Sequence, residues 1–381
     1  MRISMIDPSL FTLPYDQALA TGLEAVGHSV TLFGRRPGPS DSNPPGVPLV
    51  TDFYRLTGSR PVAALPAKLR LAIKGLDHAW SMARLLRRLR RERPDVIHFQ
   101  WLPLPLVDRI MLAGFRRVAP MVLTVHDTNP FNGDPSARLQ SLGVARCLEQ
   151  FGRLIVHTEQ GRARLQAQGL PADRLVVLPH GPMPAAPEHR APDPMAGPLT
   201  VTLFGKIKPY KGADVLIEAF ARLPDTLRAQ ARVRIIGKSY MDLAPLEALV
   251  GRHGLGRQIR IEDRFVGDDD VPALFGPGVI AAFPYREIDT SGVLPQALAH
   301  GRPVVASRIG VFAETLQDGM HGHLVPQDDP AALSDALAHL ISDRPFAAAC
   351  ARAALALSDS GMGWDRIAEH TADAYREAGA A

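Results

Sequence analysis

Between Pro182 and Pro198 the chain reads PMPAAPEHRAPDPMAGP, with five prolines ahead of Pro198 and no apolar periodicity. Proline has no N–H to give a ladder and blocks helix interiors, so this stretch reads as a linker. It parts two runs of one pattern. Before it, apolar strands are expected at Ile3–Ile6, Val30–Phe33, Val96–Phe99, Val122–Val125, Leu154–Val156 and Leu175–Leu178. Helices fit Tyr15–Val26, Lys68–Arg91, Leu106–Arg117 and Glu159–Gln168 between them. After it, strands are expected at Thr200–Phe204, Val233–Ile236, Ile259–Ile261, Val279–Phe283 and Val304–Ala306. Helices there fit Ala213–Leu223, Leu243–Arg252, Val271–Phe275, Leu294–Ala299 and Ala331–Ile341, and the tail from Gly363 reads as one last helix. Strands alternating with amphipathic helices form parallel sheets covered on both faces. Two such α/β halves in tandem predict a cleft between them, where open sheets place ligands.

At 381 residues the chain exceeds one ordinary core, which also favours two domains. No apolar run approaches the ~18 residues of a membrane helix. MRISMIDPSL reads as a buried first strand, because it lacks the apolar core and cleavage site of a signal peptide. Cys147 and Cys350 are the two cysteines, too few for a disulfide framework, so a cytoplasmic protein is expected.

Charge is uneven. Residues 1–190 hold 24 Lys/Arg and 15 Asp/Glu, a net +9; the remainder holds 19 and 24, a net −5. The basic excess lies between Lys68 and Arg93, nine basic residues against Asp77 and Glu92, with Leu71, Ile73, Leu76, Trp80, Leu85, Leu86 and Leu89 at roughly helical spacing. A basic amphipathic helix suits either a solvated outer position or peripheral contact with an anionic membrane surface. No nucleic-acid motif accompanies it, so nucleic acid is not an expected partner.

The segment LTVTLFGKIKPYKG (Leu199–Gly212) carries the strongest chemical signal. An apolar, β-branched strand stops at Gly205, Lys206 and Lys211 follow, and a helical pattern opens at Gly212. A glycine turn exposes backbone N–H groups, a helix N-terminus adds partial positive charge, and lysines add full charges. Such a site suits a diphosphate. By contrast, the first strand–helix turn, IDPSLFTLPYD, has no G-x-G-x-x-G, which argues against a dinucleotide there.

PYREIDTSGVLPQ (Pro284–Gln296) follows another apolar strand. Asp289, Thr290, Ser291 and Gly292 read as a turn into a helix from Val293, with Leu294 and Gln296 in its first turn. Glu287 and Asp289 are suited to accept hydrogen bonds from sugar hydroxyls. In HGRPVVASRIGVFAE, Glu314 lies near another helix start. In the first half, His126-Asp127 follows the strand Val122–Val125, where parallel sheets place active sites; His98 ends the preceding strand and His180 enters the linker. No H-E-x-x-H, cysteine cluster or carboxylate set suggests a metal, and no G-x-S-x-G suggests a nucleophile.

Over nearly its whole length the chain resembles the glycosyltransferase family 4 enzymes, of the GT-B architecture. The family's Gly-Arg…Lys-Gly appears as Gly205-Lys206…Lys211-Gly212, its T-x-H-D as Thr124–Asp127, and its HG as His180-Gly181. Its G-x-P-V-V-A-S-x-x-G is Gly301–Gly310, followed by Val311 where a second glycine is usual, and then by Glu314. Trp364 in the last helix resembles the family's C-terminal segment. The family's two glutamates, with seven residues between them, fall here on Ile288 and Gln296; Glu287 is one residue out of register. The sequence looks like a subgroup with Ser-Gly-Val-Leu (Ser291–Leu294) in this loop.

The resemblance implies two Rossmann-like parallel-sheet domains facing across a cleft: an acceptor-binding domain over 1–181, a linker over 182–198, a nucleotide-sugar-binding domain over 199–358, and a final helix over 359–381 crossing back to the first. It implies metal-free, cofactor-free transfer of a sugar from a UDP- or GDP-sugar to an acceptor hydroxyl of a glycan or lipid-linked intermediate, normally with retention. Lys206, Lys211 and helix amides would stabilise the departing diphosphate, and His126 would meet the transferred sugar. Glu287 or Asp289 would orient its hydroxyls. The base would pack near Arg264–Val266, while His98 and Asp127 would lie on the acceptor side. Gln296 and the missing first glutamate leave open a catalytically silent relative, and the two domains with a diphosphate site would equally serve a nucleotide-sugar epimerase.

Overall fold

The computed structural model describes residues 1–38, 41, 47–57, 66–128, 143–181, 193–360 and 363–380; residues 182–192 of the expected linker lie outside them. The chain forms two compact units, Met1–Pro179 with Met362–Ala381, and His180–Gly361.

The first unit is built on seven parallel strands: β1 (Arg2–Asp7), β2 (Ser29–Arg35), β3 (Leu49–Phe53), β4 (Val96–Phe99), β5 (Met121–Val125), β6 (Arg153–Val156) and β7 (Leu175–Val177). Their order is β3-β2-β1-β4-β5-β6-β7. The helices are α1 (Leu13–Ala25), α2 (Ala67–Glu92), α3 (Pro105–Phe115), α4 (Val144–Leu148) and α5 (Glu159–Ala167). The chain leaves β1 toward one sheet edge and returns through β4 toward the other. The crevice over the C-terminal ends of β1 and β4 is therefore the switch point, where such sheets bind ligands.

The second unit repeats the plan with β8 (Leu199–Phe204), β9 (Ala231–Gly237), β10 (Ile259–Asp263), β11 (Val279–Phe283), β12 (Val304–Ser307) and β13 (Gly322–Val325), ordered β10-β9-β8-β11-β12-β13 and all parallel. Its helices are α6 (Ala213–Arg222), α7 (Asp225–Arg228), α8 (Ala244–Arg252), α9 (Val293–Ala299), α10 (Gly310–Thr315), α11 (Pro330–Ser342) and α12 (Arg344–Ser360). Strand alternation divides the core in two: Ile280 and Ala282 join one apolar cluster, and Val279, Ala281 and Phe283 join the other. The switch point lies between β8 and β11.

The last helix, α13 (Trp364–Ala380), belongs to the first unit. It packs on α1: a Cβ at Gly22 would stand 2.5 Å from the Trp364 carbonyl oxygen, and the Trp364 ring meets Tyr15 at 5.1 Å.

The helix expected over Ala213–Leu223 does start at Ala213, directly after a 3-10 turn, Pro209–Lys211. Two expectations need correction. Val271–Phe275 is not an α-helix but part of a 3-10 segment, Asp268–Phe275, because Pro272 removes a donor inside it. The apolar residues of the basic helix do not share one face: Leu85 and Leu89 are fully buried, whereas Leu76 and Trp80 are exposed.

Candidate active site

In the second unit, residues 205–212 wrap over the end of β8. Gly205 has φ +113, and a Cβ there would lie 3.0 Å from Lys211 Nζ. Gly212 has φ +65, and a Cβ there would lie 2.0 Å from the Pro284 carbonyl oxygen. Both positions therefore demand glycine. Between them Ile207 is fully buried, and its backbone extends the β9 ladder by bonds from Ile207 N to Lys238 O (3.0 Å) and from Tyr240 N to Ile207 O (2.9 Å). Arg286, after β11, fastens the far side. Its guanidinium donates to both Asp214 carboxylate oxygens (2.9 and 2.7 Å), to Pro209 O (2.9 Å) and to Asp328 Oδ1 (2.9 Å).

This frame fixes Lys211. Its side chain is 7% exposed, and Nζ donates to Tyr285 Oη at 2.8 Å and stands 4.6 Å from that ring's centroid. It forms no ion pair among the described residues. Burial foremost, then the charges of Lys206 and Lys208, lowers its pKa from 10.5 to about 7. Lys206 is exposed, and its ammonium lies 5.8 Å from the Tyr240 ring centroid. Three lysines thus gather on one turn at the switch point, a ready anion cradle. In the first turn of α6, burial pushes the Asp214 carboxyl up, but the Arg286 guanidinium outweighs it and holds it below the usual range.

In the neighbouring loop, Asp289 and Ser291 are buried, and Ser291 Oγ accepts from Leu294 N at 3.4 Å. Val311 N donates to Asp289 O at 3.2 Å, which joins the loop to α10. Thr290 Oγ1 is buried without a hydrogen-bond partner. Glu287, Val293 and Gln296 are half-buried, and Gly292 and Glu314 exposed. Val266 does not present a surface to a base: its side chain is 6% exposed and packs in the core with Val271 and Phe275. Arg264 is exposed and donates to Glu262 Oε2 at 3.2 Å, and the apolar side chain open in that turn is Phe265.

In the first unit, His126 follows β5 and is 6% exposed. Its Nε2 lies 2.9 Å from Gln100 Oε1, beyond β4, and its Nδ1 lies 3.1 Å from His157 Nε2, beyond β6. The ring stacks on Trp101 (5.4 Å, 16°) and meets Tyr15 edge-on (4.9 Å). His157 Nδ1 donates to Leu178 O at 2.9 Å. Two proton arrangements satisfy this ladder. With the Gln100 oxygen toward His126, the two rings carry three N–H groups and one positive charge; with the amide turned, both rings are neutral.

Trp101 Nε1 donates to Thr12 Oγ1 (3.0 Å), which donates to Asp16 Oδ1 (3.1 Å). Asp7 accepts from Ser9 N and Thr12 N, both at 3.1 Å. Burial raises the Asp7 pKa to about 6, and burial and then the Asp7 charge raise Asp16 well above its usual value.

Asp127 is half-buried beside His126. His98 is not open to an acceptor. It is fully buried, with Nδ1 2.7 Å from Tyr375 Oη on α13 and Nε2 2.8 Å from Thr124 Oγ1, and burial lowers its pKa to about 3. It is a neutral imidazole tying the last helix to the sheet. Sequence reasoning missed Gln100, Trp101 and His157; each follows the C-terminal end of an apolar strand, as His126 does.

Two parallel sheets, each covered by helices and each with a switch point, define a doubly wound α/β protein. Residues 198–343 match the family described as glycosyl transferases group 1, and residues 14–181 match the glycosyl transferase 4-like domain. The chain belongs to these glycosyltransferases. It is 28% identical to the D-inositol 3-phosphate glycosyltransferase of Streptomyces coelicolor, over 96% of this chain and 86% of that one. Among solved structures it resembles the sucrose-phosphate synthase of Thermosynechococcus elongatus (TM-score 0.73, 18% identity, 99% and 98% of the two chains). It also resembles Anabaena Alr3699/HepE in complex with UDP and glucose (TM-score 0.71, 18% identity, 98% of each). The fold is GT-B.

Proposed function

We propose that the protein transfers a hexose from a UDP- or GDP-sugar to a hydroxyl of a glycan or lipid-linked acceptor, with the donor diphosphate at Gly205–Gly212. The observation that carries this reading is Lys211, a buried ammonium at the switch point that forms no ion pair among the described residues. A buried charge without a counter-charge is costly, and an arriving diphosphate supplies one. Binding then raises the Lys211 pKa, so the bound lysine is fully protonated.

In the reaction the bond from the sugar's anomeric carbon to the diphosphate oxygen breaks, and a bond to the acceptor oxygen forms. The acceptor proton leaves to the released diphosphate or to water. Negative charge grows on the diphosphate in the transition state, and Lys206 and Lys211 are fixed to meet it. In this reading these lysines supply the positive charge, with no metal or cofactor. Glu287 and Asp289 orient sugar hydroxyls, Glu314 and the Thr290–Leu294 and Gln296 loop complete the donor pocket, and Phe265 offers the base an aromatic face. The first unit takes the acceptor over the C-terminal end of β5, where His126 and Asp127 lie.

The test is turnover: the purified protein is incubated with UDP- and GDP-hexoses and with candidate acceptors, and nucleoside diphosphate and glycosylated product are both measured. One nucleotide should support stoichiometric formation of the two. Consumption of no donor with any acceptor, by a folded sample that binds nucleoside diphosphates, overturns the reading.

A further inference from the structure

We propose that the outward face of α2 docks on an anionic lipid bilayer. The inference is independent of the donor reading, and its test needs no nucleotide.

Helix α2 carries two apolar faces. Leu85 and Leu89 point into the core, where Asp77 and His78 also anchor the helix: Asp77 Oδ2 accepts from Leu56 N and Thr57 N (2.9 and 2.8 Å), and His78 Nε2 lies 2.6 Å from Asp108 Oδ1. On the opposite side, Leu69, Leu76 and Trp80 follow one another at spacings of seven and four, so they share a stripe. Leu76 is 75% exposed and Trp80 58%. Helix α3, packed beside α2, exposes Ile110 to the same 75%.

The same stripe continues into cations. Arg87 and Arg91 stand seven and eleven positions beyond Trp80, with Arg90 alongside, and all three are exposed. The Arg87 guanidinium lies 5.9 Å from the Trp80 ring centroid. None of the three forms an ion pair among the described residues. Arg84 and Arg88, nearer the core, are instead paired with Asp52 at 2.7 and 3.7 Å. The outward surface is therefore apolar at one end and cationic at the other. Asp77 is buried, and Glu92 turns back to Arg88 (2.6 Å).

That combination selects the occupant. A second copy of the chain would set the Arg87, Arg90 and Arg91 cluster against its like. Nucleic acid would satisfy the arginines but leave Leu76, Trp80 and Ile110 in water. A bilayer containing anionic lipid offers phosphates to the guanidiniums and acyl chains to the leucines, with indole at the boundary between them.

The test is co-sedimentation of the full chain with vesicles of phosphatidylcholine alone and of phosphatidylcholine with phosphatidylglycerol. Binding to the anionic vesicles should be roughly tenfold tighter or more, and should weaken as salt is raised. Leu76→Ser with Trp80→Ser, and separately Arg87→Ala with Arg90→Ala and Arg91→Ala, should each abolish it. Both variants should keep the wild-type melting temperature, since these side chains touch no core. Equal partition on the two vesicles, no binding, or unchanged binding by either variant overturns the proposal. So does a lipid-free dimer that Leu76→Ser with Trp80→Ser disperses, which would give the face to a second copy.

Discussion

Lys211 Nζ donates a hydrogen bond of 2.8 Å to Tyr285 Oη and thereby joins the loop after β8 to the loop after β11 across the switch point of the second sheet. Both side chains are buried, so the contact holds an ammonium in a place that favours its neutral form. Loss of this lysine should separate stability from function. Lys211→Met should lower turnover roughly 100- to 1,000-fold, the scale of losing one preorganised charge at the developing anion. The ligand-free variant should nonetheless melt at or above the wild-type temperature at pH 6 to 7 (about neutral), because an uncompensated buried charge has gone. Turnover assays and thermal unfolding on the same sample check both halves.

The same lysine sets a pH dependence. Its folded pKa, about 7, lies below the unfolded 10.5, so between these values the unfolded state binds more protons. Stability of the ligand-free protein attributable to this group should therefore rise with pH across that window, and stay level below it. Nucleoside-diphosphate binding should move the opposite way. Binding above pH ~7 takes up a proton on Lys211, so affinity should fall up to about tenfold per pH unit. Lys211→Met should show neither trend. Calorimetric titrations in buffers of different ionisation enthalpy measure the proton uptake directly.

Gly212→Ala should be damaging out of proportion to one methyl group. The new Cβ would stand 2.0 Å from the Pro284 carbonyl oxygen at a backbone φ of +65. A cost of about 2 kcal/mol is expected, together with displacement of Lys211 and loss of nucleotide binding. Chemical denaturation and nucleotide titration read the two effects. Gly254→Ala is the control: its φ is also +65, but nothing lies within 4 Å of the added atom.

The histidines of the first unit should divide by role. His126→Ala should reduce turnover roughly 100-fold, as misplacement of a reacting group does, while affinity for nucleoside diphosphate stays at the wild-type value. His98→Ala should instead destabilise by about 2–4 kcal/mol, because it leaves a cavity and strands two buried hydroxyls, Tyr375 and Thr124. Melting temperature and turnover, measured for both variants, distinguish a residue at the site from one beneath it.

Much of this was legible in the residues because it depends on local pattern. Apolar runs ending at glycine, and helices opening after it, give the parallel α/β units and place Gly205, Lys211 and Gly212 without any knowledge of contacts. What depends on burial was not. His98 and His126 look alike at the ends of adjacent strands, yet one is sealed under α13 and the other lies on Trp101. Val266 reads as a residue in a turn, whereas its side chain fills the core and Phe265 remains outside. Gln100 and His157 belong to no local motif; only the order β4-β5-β6 brings them to His126. β3 and β13 escaped notice because LVTDF and GHLV are short and carry polar residues. α12 escaped because alanine offers little contrast between faces.

The central claim is that the donor diphosphate sits on Lys211. Its most direct test is calorimetric titration of wild type and Lys211→Met with the series uridine, UMP and UDP, and with the guanosine series in parallel. For the nucleotide the protein accepts, wild-type affinity should climb with each phosphate. In the variant that climb should flatten, while the weak affinity for the nucleoside stays as it was. A variant that binds the diphosphate as tightly as wild type would contradict the account.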